Sequence, residues 1–225
     1  MRKKMKKIYV LLVFTFILGF LGIPKASGQC EYCQYPNICN FVNYTIVCNG
    51  VEYPIQAVIC YTCNGTPNVY NVQVLELSYP AALERLMYDP YNPNTACEDA
   101  MWDSLWANIR RKVFELCGYV GCPERVTILK TLPICGEFIY EGPPGHEFIR
   151  KRFHPGSCNL RCVVELSVCF DYNTQTYDEQ LVNLTFFGEC PIEAKYPWGR
   201  ISNPDEPPFR IECAQLWSNR FCPWP

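Results

Sequence analysis

The stretch "CNGVEYPIQAVICYTC", residues 48–63, contains the pattern that decides the local fold. After residue 50, apolar side chains recur at every second position, as they do in a strand with one buried face. Asn49-Gly50 separates this run from residues 42–48, which alternate in the same way. Asn-Gly between two such runs is the strongest short signal for a β-hairpin. Because Pro54 has no N–H to donate, we expect the second strand to lie at a sheet edge or to contain a bulge.

The cysteines of this stretch allow three interpretations: zinc ligands, a redox centre or structural disulfides. The chain has two C-x-x-C pairs, Cys30/Cys33 and Cys60/Cys63. A zinc ribbon favours pairs that are closer in sequence, and a thioredoxin-like pair lies between a strand and a helix. Neither context is present, and the even count of 16 permits eight bridges, so the sequence predicts structural disulfides of unspecified connectivity. The cysteines concerned are Cys30, Cys33, Cys39, Cys48, Cys60, Cys63, Cys97, Cys117, Cys122, Cys135, Cys158, Cys162, Cys169, Cys190, Cys213 and Cys222.

Residues 1–28 have the three parts of a secretory signal peptide. The basic "MRKKMKK" is followed by the apolar "IYVLLVFTFILGFLGI" and by small residues at Ala26 and Gly28. We therefore expect cleavage before Gln29 and a secreted protein, either extracellular or periplasmic, with no transmembrane segment in its mature chain. The alternative is a retained membrane anchor, which the short apolar run disfavours. Gln29 separates Gly28 from Cys30, and this spacing argues against a lipid anchor.

The charge of the mature chain narrows the choice of partners. Residues 1–28 hold six of the 20 basic residues and none of the 22 acidic ones, so residues 29–225 have a net charge of −8. An acidic surface repels phosphate backbones, so we expect no nucleic-acid partner. A protein or a carbohydrate at the cell exterior is the expected partner, and the oligomeric state stays open.

A long helix is predicted between two cysteine-rich hairpins. Thr95-x-x-Glu98 has the pattern of a capping box, and Gly118 is typical of a helix C-terminus. Apolar residues between them recur at intervals of three and four, which indicates one buried stripe. The residues of this stripe are Trp102, Leu105, Trp106, Ile109, Val113 and Leu116. A shorter helix is predicted from Pro80 to Asp89.

The second hairpin lies nearer the C-terminus. Residues 162–172 and 182–186 alternate, and the polar "NTQTYDEQ" between them predicts the turn. Together these patterns predict an α+β fold, in which a small disulfide-rich antiparallel sheet of hairpins carries one main amphipathic helix on a face. We expect residues 29–225 to form a single domain. Residues 191–225 are predicted as a Pro-rich surface strap and C-terminal segment.

One Gly/Pro-rich loop, "EGPPGHEFIRKRFHPGSC" at residues 141–158, contains both histidines of the chain, His146 and His154. They are weak candidates for a metal site, because their eight-residue spacing matches no common ligand pattern, and two surface histidines are the favoured interpretation. Ser157 has no G-x-S-x-G context. We therefore expect no cofactor and name no catalytic residue. The carboxylates that would complete a metal site are Glu137, Glu141 and Glu147.

Three tryptophans are the candidate binding residues: Trp198, Trp217 and Trp224. They lie in Pro-rich or terminal segments, where a ring would stack on a sugar, anchor a protein partner or pack over disulfides. N-x-T sequons begin at Asn43, Asn64 and Asn183, and are glycosylation acceptors if the source is eukaryotic. The function expected is that of a secreted, non-catalytic binding or structural protein, such as a subunit of an extracellular or cell-surface assembly. The alternative is a secreted hydrolase that acts on polysaccharide or peptide.

Overall fold

Strands dominate the structure. The computed structural model describes residues 29–33, 37–65, 69–153, 158–191, 193–203 and 205–217. A short 3-10 helix, Gln29–Tyr32, comes first. The strands are β1 Ile38–Cys48, β2 Val51–Gly65, β3 Val69–Pro80, β4 Val126–Pro133, β5 Cys135–Glu141, β6 Phe148–Arg152, β7 Arg161–Asp171, β8 Thr176–Phe187 and β9 Phe209–Gln215. The helices are α1 Ala81–Met87, α2 Thr95–Cys117 and α3 Trp198–Ile201.

The sheet is organised around β3, which has three neighbouring strands. Along one edge β2 runs antiparallel to β3, from Gln56 opposite Ser78 to Gly65 opposite Val69. Along the other edge β4 pairs in parallel with residues 69–73, and β6 pairs antiparallel with residues 76–80. The sheet therefore continues in two directions, from β4 through β7 to β8 and from β6 through β5 to β9.

The predicted fold class was wrong. In place of a small antiparallel sheet of hairpins with one helix on it, the described residues form one large mixed sheet of nine strands. Its pairs include the parallel β3–β4 and two long-range antiparallel pairs, β3–β6 and β5–β9. Sequence alternation identifies strands that have a buried face, but it carries no information about which distant strand lies beside which.

The Asn-Gly hairpin was predicted correctly. Cys48 lies opposite Val51, and Asn49 and Gly50 have φ values of 52° and 77°, as a type I′ turn requires. The strand β2 is nevertheless internal, because β1 and β3 flank it. Pro54 is tolerated there because the pairing of β2 with β3 ends at Gln56.

Helix α2 has the predicted bounds but a different N-cap. The side chain of Asn94, not that of Thr95, accepts a hydrogen bond from the Cys97 N–H at 3.1 Å. Leu116, which was predicted to belong to the buried stripe, is 46% exposed. The other five stripe residues are buried, namely Trp102, Leu105, Trp106, Ile109 and Val113. The shorter helix predicted from Pro80 begins one residue later, as α1.

The turn of the second hairpin is shorter than predicted. Strand β8 already begins at Thr176, within the polar stretch expected to form the turn. Contacts with α2 explain the difference, because the Tyr177 ring lies 5.1 Å from the ring of Phe114 and Glu179 pairs with Arg110 at 2.7 Å. These two side chains lie on the face of β8 that α2 covers, so a locally polar segment gains tertiary partners as a strand.

Seven disulfides link fourteen of the described cysteines, and neither C-x-x-C closes on itself. Cys162 is also disulfide-bonded, and Cys222 lies outside the described residues. The disulfide prediction is thus confirmed for the cysteines of the seven pairs. Four bridges lie before residue 118 and three lie after residue 121, so none of the seven crosses residues 118–121. The pairs are Cys30–Cys39, Cys33–Cys60, Cys48–Cys97, Cys63–Cys117, Cys122–Cys169, Cys135–Cys190 and Cys158–Cys213.

The Pro-rich segment after β8 contains regular structure. Helix α3 interrupts it, and Ile201 at the end of this helix is buried in the core. The guanidinium carbon of Arg200 lies 3.8 Å from the centre of the Phe209 ring, which holds the helix against β9. Within the described residues, no helix has both the length and the apolar character needed to cross a membrane. The predicted signal peptide, residues 1–28, lies outside these residues.

Candidate functional site

A cleft of about 550 Å³ opens where two hairpins diverge beside the end of β3. The pairing of β2 with β3 ends at Gln56 opposite Ser78, so residues 51–55 diverge from β3. Strand β6, in contrast, stays paired to the end of β3, where Phe148 lies opposite Pro80. The start of β2 therefore forms one wall, the β5–β6 loop forms the other, and the end of β3 with the start of α1 forms the floor. The lining residues are Glu52, Tyr53, Pro54, Ser78, Tyr79, Pro80, Ala82, Pro143, Gly145, His146, Glu147 and Phe148.

The wall formed by β2 is fixed to α2. The Cys48–Cys97 bridge joins the end of β1 to the first turn of the helix. Beside it, the Asn94 Nδ2 donates a hydrogen bond to the Asn49 Oδ1 at 3.2 Å. Because the tip of the β1–β2 hairpin is held by one covalent and one polar contact, the position of this wall is fixed relative to α2.

The opposite wall depends on a glycine and a carboxylate. Gly142 has a φ of +115°, and a Cβ there would lie 2.5 Å from the His146 carbonyl oxygen, so only glycine fits. The Gly145 N–H donates to the Glu147 Oε1 at 3.1 Å. Partial burial acts to raise the pKa of Glu147, but hydrogen bonds from backbone N–H groups and the charge of Arg85 lower it overall. The carboxylate is therefore oriented and negatively charged at neutral pH.

A buried polar network lies beneath the floor. Tyr79, at the end of β3, is buried, and its hydroxyl donates to the Glu84 Oε2 at 2.5 Å. The other oxygen of Glu84 accepts a hydrogen bond from the Tyr196 hydroxyl and lies 2.7 Å from the Lys151 Nζ. Both side chains of this ion pair are completely buried.

Aromatic rings enclose the ammonium group of Lys151. Its Nζ lies 4.2 Å from the centre of the Trp217 ring and 4.8 Å from that of Tyr88, and three more rings lie within 5.6 Å. Burial lowers the pKa of Lys151 to about 8, although the charge of Glu84 acts in the opposite direction. Lys151 does not line the cleft, so we assign the network to support of the floor.

The predicted site residues are only partly brought together. His146 is exposed on the wall of the cleft beside Glu147, whereas His154 and Ser157 lie outside the described residues. Glu137 and Glu141, the other proposed ligand carboxylates, are paired with arginines: Glu137 with Arg152 and Arg210, and Glu141 with Arg150. Among the described residues no group of three metal-ligating side chains occurs.

Trp198 and Trp217, two of the three tryptophans proposed for binding, do not line the cleft. Trp217 is 1% exposed, stacks edge-on against Trp102 at 4.7 Å and donates its Nε1–H to the Pro133 carbonyl at 2.8 Å. Trp198 is partly buried against the same core, and Trp224 lies outside the described residues. The binding role of these residues stays a prediction.

Sequence reasoning missed the wall and floor contributed by β2, β3 and α1. Tyr53 and Pro54 look like ordinary strand residues, and only the β2–β3 register shows that they face the loop of residues 142–147. The Gly/Pro-rich loop predicted over residues 141–158 is a loop only in part: residues 142–147 connect two strands, but Phe148–Arg152 form β6. A scan against protein-family models and searches of curated proteins and of solved structures found no match. The function is therefore argued from the cleft itself.

Proposed function

We propose that this chain is an extracellular, disulfide-stabilised binding protein that holds an extended, basic segment of a protein partner in the cleft. The observation that carries the proposal is the lining. It combines two partly exposed aromatic rings, Tyr53 and Phe148, and three prolines with two carboxylates, Glu52 and Glu147. Rings and prolines offer flat apolar surfaces to an extended chain, and carboxylates offer partners to lysine or arginine.

The charge balance supports a basic ligand. Of the described residues that line the cleft, His146 is the only basic one, and Glu147 is kept ionised by backbone hydrogen bonds. The net charge of −8 for residues 29–225 extends this negative field beyond the cleft. Charges of this kind raise the rate of encounter with a cationic partner and fix its orientation.

The fixed β2 wall supports binding in preference to a mobile lid. Because the Cys48–Cys97 bridge and the Asn94–Asn49 hydrogen bond hold the hairpin tip, little conformational freedom is lost when a ligand enters. The extracellular location rests on the signal-like residues 1–28 and on the disulfides, which persist in oxidising compartments.

The test begins with a display library of random 12-residue peptides selected on immobilised residues 29–225. We expect the enriched peptides to contain lysine or arginine beside proline or aromatic residues, and to bind at micromolar concentrations in calorimetry. A parallel array of immobilised glycans and a panel of peptidase and glycosidase substrates probe the two rival functions. Enrichment of neutral or acidic peptides, selective glycan binding, or turnover would contradict the proposal.

Variants locate the binding site. Replacing both carboxylates, Glu52→Gln with Glu147→Gln, is expected to weaken the selected peptide at least tenfold and to reduce the salt dependence of its affinity. Glu124→Gln is the matched control, because Glu124 is exposed and lies outside the cleft. Equal loss in the control, or unchanged affinity in the double variant, would place the peptide elsewhere.

A further inference from the structure

Strand β8 forms one end of the sheet and has an open edge. Within the described part of the chain it pairs only with β7, so the other edge of Thr176–Phe187 has no neighbouring strand. An edge of this length presents a row of backbone donors and acceptors that a further strand can use.

Helix α2 covers only the first half of β8. Its Arg110 and Phe114 contact Glu179 and Tyr177, and the described contacts of the helix with β8 end there. Beyond this point, Phe186 lies opposite Cys162 on β7, and Cys162 is completely buried. The core face of the sheet therefore continues onto the second half of β8, where the helix does not cover it.

The uncovered half of β8 forms an apolar patch. Its five apolar side chains are each about half exposed, and residues 180–187 contain no charge and no proline. Monomeric proteins usually protect such an edge with lysine, proline or a bulge that turns it away. Lysine and proline are absent from residues 180–187, and the one register shift of the β7–β8 pairing lies at Val182, between Leu181 opposite Leu166 and Asn183 opposite Glu165. Three of the five apolar side chains, Leu181, Leu184 and Phe186, lie opposite buried residues of β7 and therefore share the core face of the sheet. The patch consists of Leu181, Val182, Leu184, Phe186 and Phe187.

The order of residues in the patch identifies its occupant. "LVNLTFF", residues 181–187, reads apolar, apolar, polar, apolar, polar, apolar, apolar, and this order is the same in both directions. We propose that β8 pairs antiparallel with β8 of a second copy of this chain about a two-fold axis at Leu184. From Asn183 onward the strand is regular, so Leu184 lies opposite Leu184 and Asn183 lies opposite Thr185 of the second copy, with Val182 opposite Phe186 at the ends. The register shift at Val182 puts Leu181 and Phe187 on different faces of the sheet, so the proposed pairing is limited to residues 182–186. An isologous interface requires this self-complementarity.

A local feature of β8 marks each end of the proposed pairing. After Phe187 the backbone leaves the strand at Gly188, whose φ of +85° turns it away. At the other end, the carboxylate of Glu179 forms an ion pair with Arg110 of α2. The dimer therefore joins two sheets through about five residues of each chain.

The first test is the mass of residues 29–225 in solution. Sedimentation equilibrium of the unmodified chain is expected to give twice the chain mass at micromolar concentration. Leu184→Lys should give a monomer, because it places two like charges at the axis. Val47→Lys is the matched control, since Val47 is 64% exposed on the opposite edge strand β1. A monomeric unmodified chain, a dimeric Leu184→Lys variant or a monomeric control would overturn the proposal.

The second test fixes the register and separates it from misfolding. Asn183→Lys with Thr185→Lys puts like charges opposite each other and is expected to dissociate the dimer. Asn183→Lys with Thr185→Asp puts opposite charges there and is expected to retain it. Both variants share Asn183→Lys, opposite Glu165 of β7, and differ only in the sign of the charge at residue 185, so their folding effects are closely matched. Equal dissociation in both, or an N-linked glycan on Asn183 of the natural protein, would refute this interface.

Discussion

Lys151 is a charged residue without access to water. Removing an ammonium group from water costs several kcal/mol, and its pairing with Glu84 and the faces of the surrounding rings offset part of that cost. The Tyr79 and Tyr196 hydroxyls supply the remaining hydrogen bonds of Glu84. Each partner therefore depends on the others, and removal of one leaves a buried charge without compensation.

Lys151→Met is expected to lower the free energy of unfolding by about 3–5 kcal/mol, because the charge of Glu84 stays buried without its cation. Adding Glu84→Gln should restore part of this loss, since a neutral amide still accepts from both tyrosines. Urea unfolding with the disulfides intact measures both effects. Lys195→Met, on an exposed lysine, is the control. A loss below about 1 kcal/mol for Lys151→Met would show that the pair does not hold the floor.

Stability is expected to rise from pH 8 to about pH 9.5. Burial lowers the pKa values of Lys151 and Lys130 to about 8, so above this pH the unfolded chain binds more protons than the folded one. The gain is roughly 1–3 kcal/mol. Above pH 10 stability should fall, because burial holds the pKa values of Tyr79, Tyr88 and Tyr196 well above 10. Urea unfolding at half-unit pH steps measures the profile, and a steady decline from pH 7.5 to 9.5 would contradict it.

At the scale of elements, local signals specified local structure. Asn49-Gly50 and the alternation around it identified the first hairpin, and the apolar stripe identified α2. The N-cap was misplaced by one residue because both Asn94 and Thr95 are good capping residues, and only the structure shows which side chain bonds to Cys97. Residues 176–180 form a strand because of their contacts with α2, which no local pattern contains.

Gly50→Ala is expected to destabilise the protein by about 1 kcal/mol or more, because its φ of +77° is unfavourable for any residue with a Cβ. Gly199→Ala is the matched control and should be neutral or slightly stabilising, since Gly199 lies within helix α3. A Cβ at either glycine meets no atom within 4 Å, so the comparison isolates the backbone conformation. Thermal unfolding of both variants measures it. Equal shifts would indicate that the turn is not type I′.

At the scale of the whole molecule, the sequence alone does not predict which strands lie beside each other. β3 lies beside β6, and Glu76 pairs with Arg152 across a long stretch of intervening chain. The candidate cleft depends on that arrangement, because its walls come from residues 52–54 and 143–147. The loop with His146 could be selected from its composition, but the opposite wall could not, since nothing local distinguishes Tyr53 from other strand residues.

The disulfides divide the chain covalently at residues 118–121, although the sheet crosses this division through β3–β4 and β3–β6. A site for a sequence-specific protease inserted between Gly118 and Tyr119 tests the division. After cleavage we expect two separate fragments in denaturing electrophoresis without reductant. The same insertion after Tyr91 is the control, because the Cys48–Cys97 and Cys63–Cys117 bridges span it and should keep its fragments joined. Joined fragments in the first variant would contradict the assigned pairs.

The same division reduces the number of alternative disulfide pairings that can form during oxidative folding. The eight cysteines before residue 118 pair only with one another. Eight cysteines allow about 100 pairings, whereas 16 oxidised together allow about two million. During synthesis the N-terminal part of a chain emerges first. The first eight cysteines can therefore form their bridges before the second group has been synthesised. Because none of the seven bridges crosses residues 118–121, the two groups of cysteines can pair independently, and the N-terminal group can pair first.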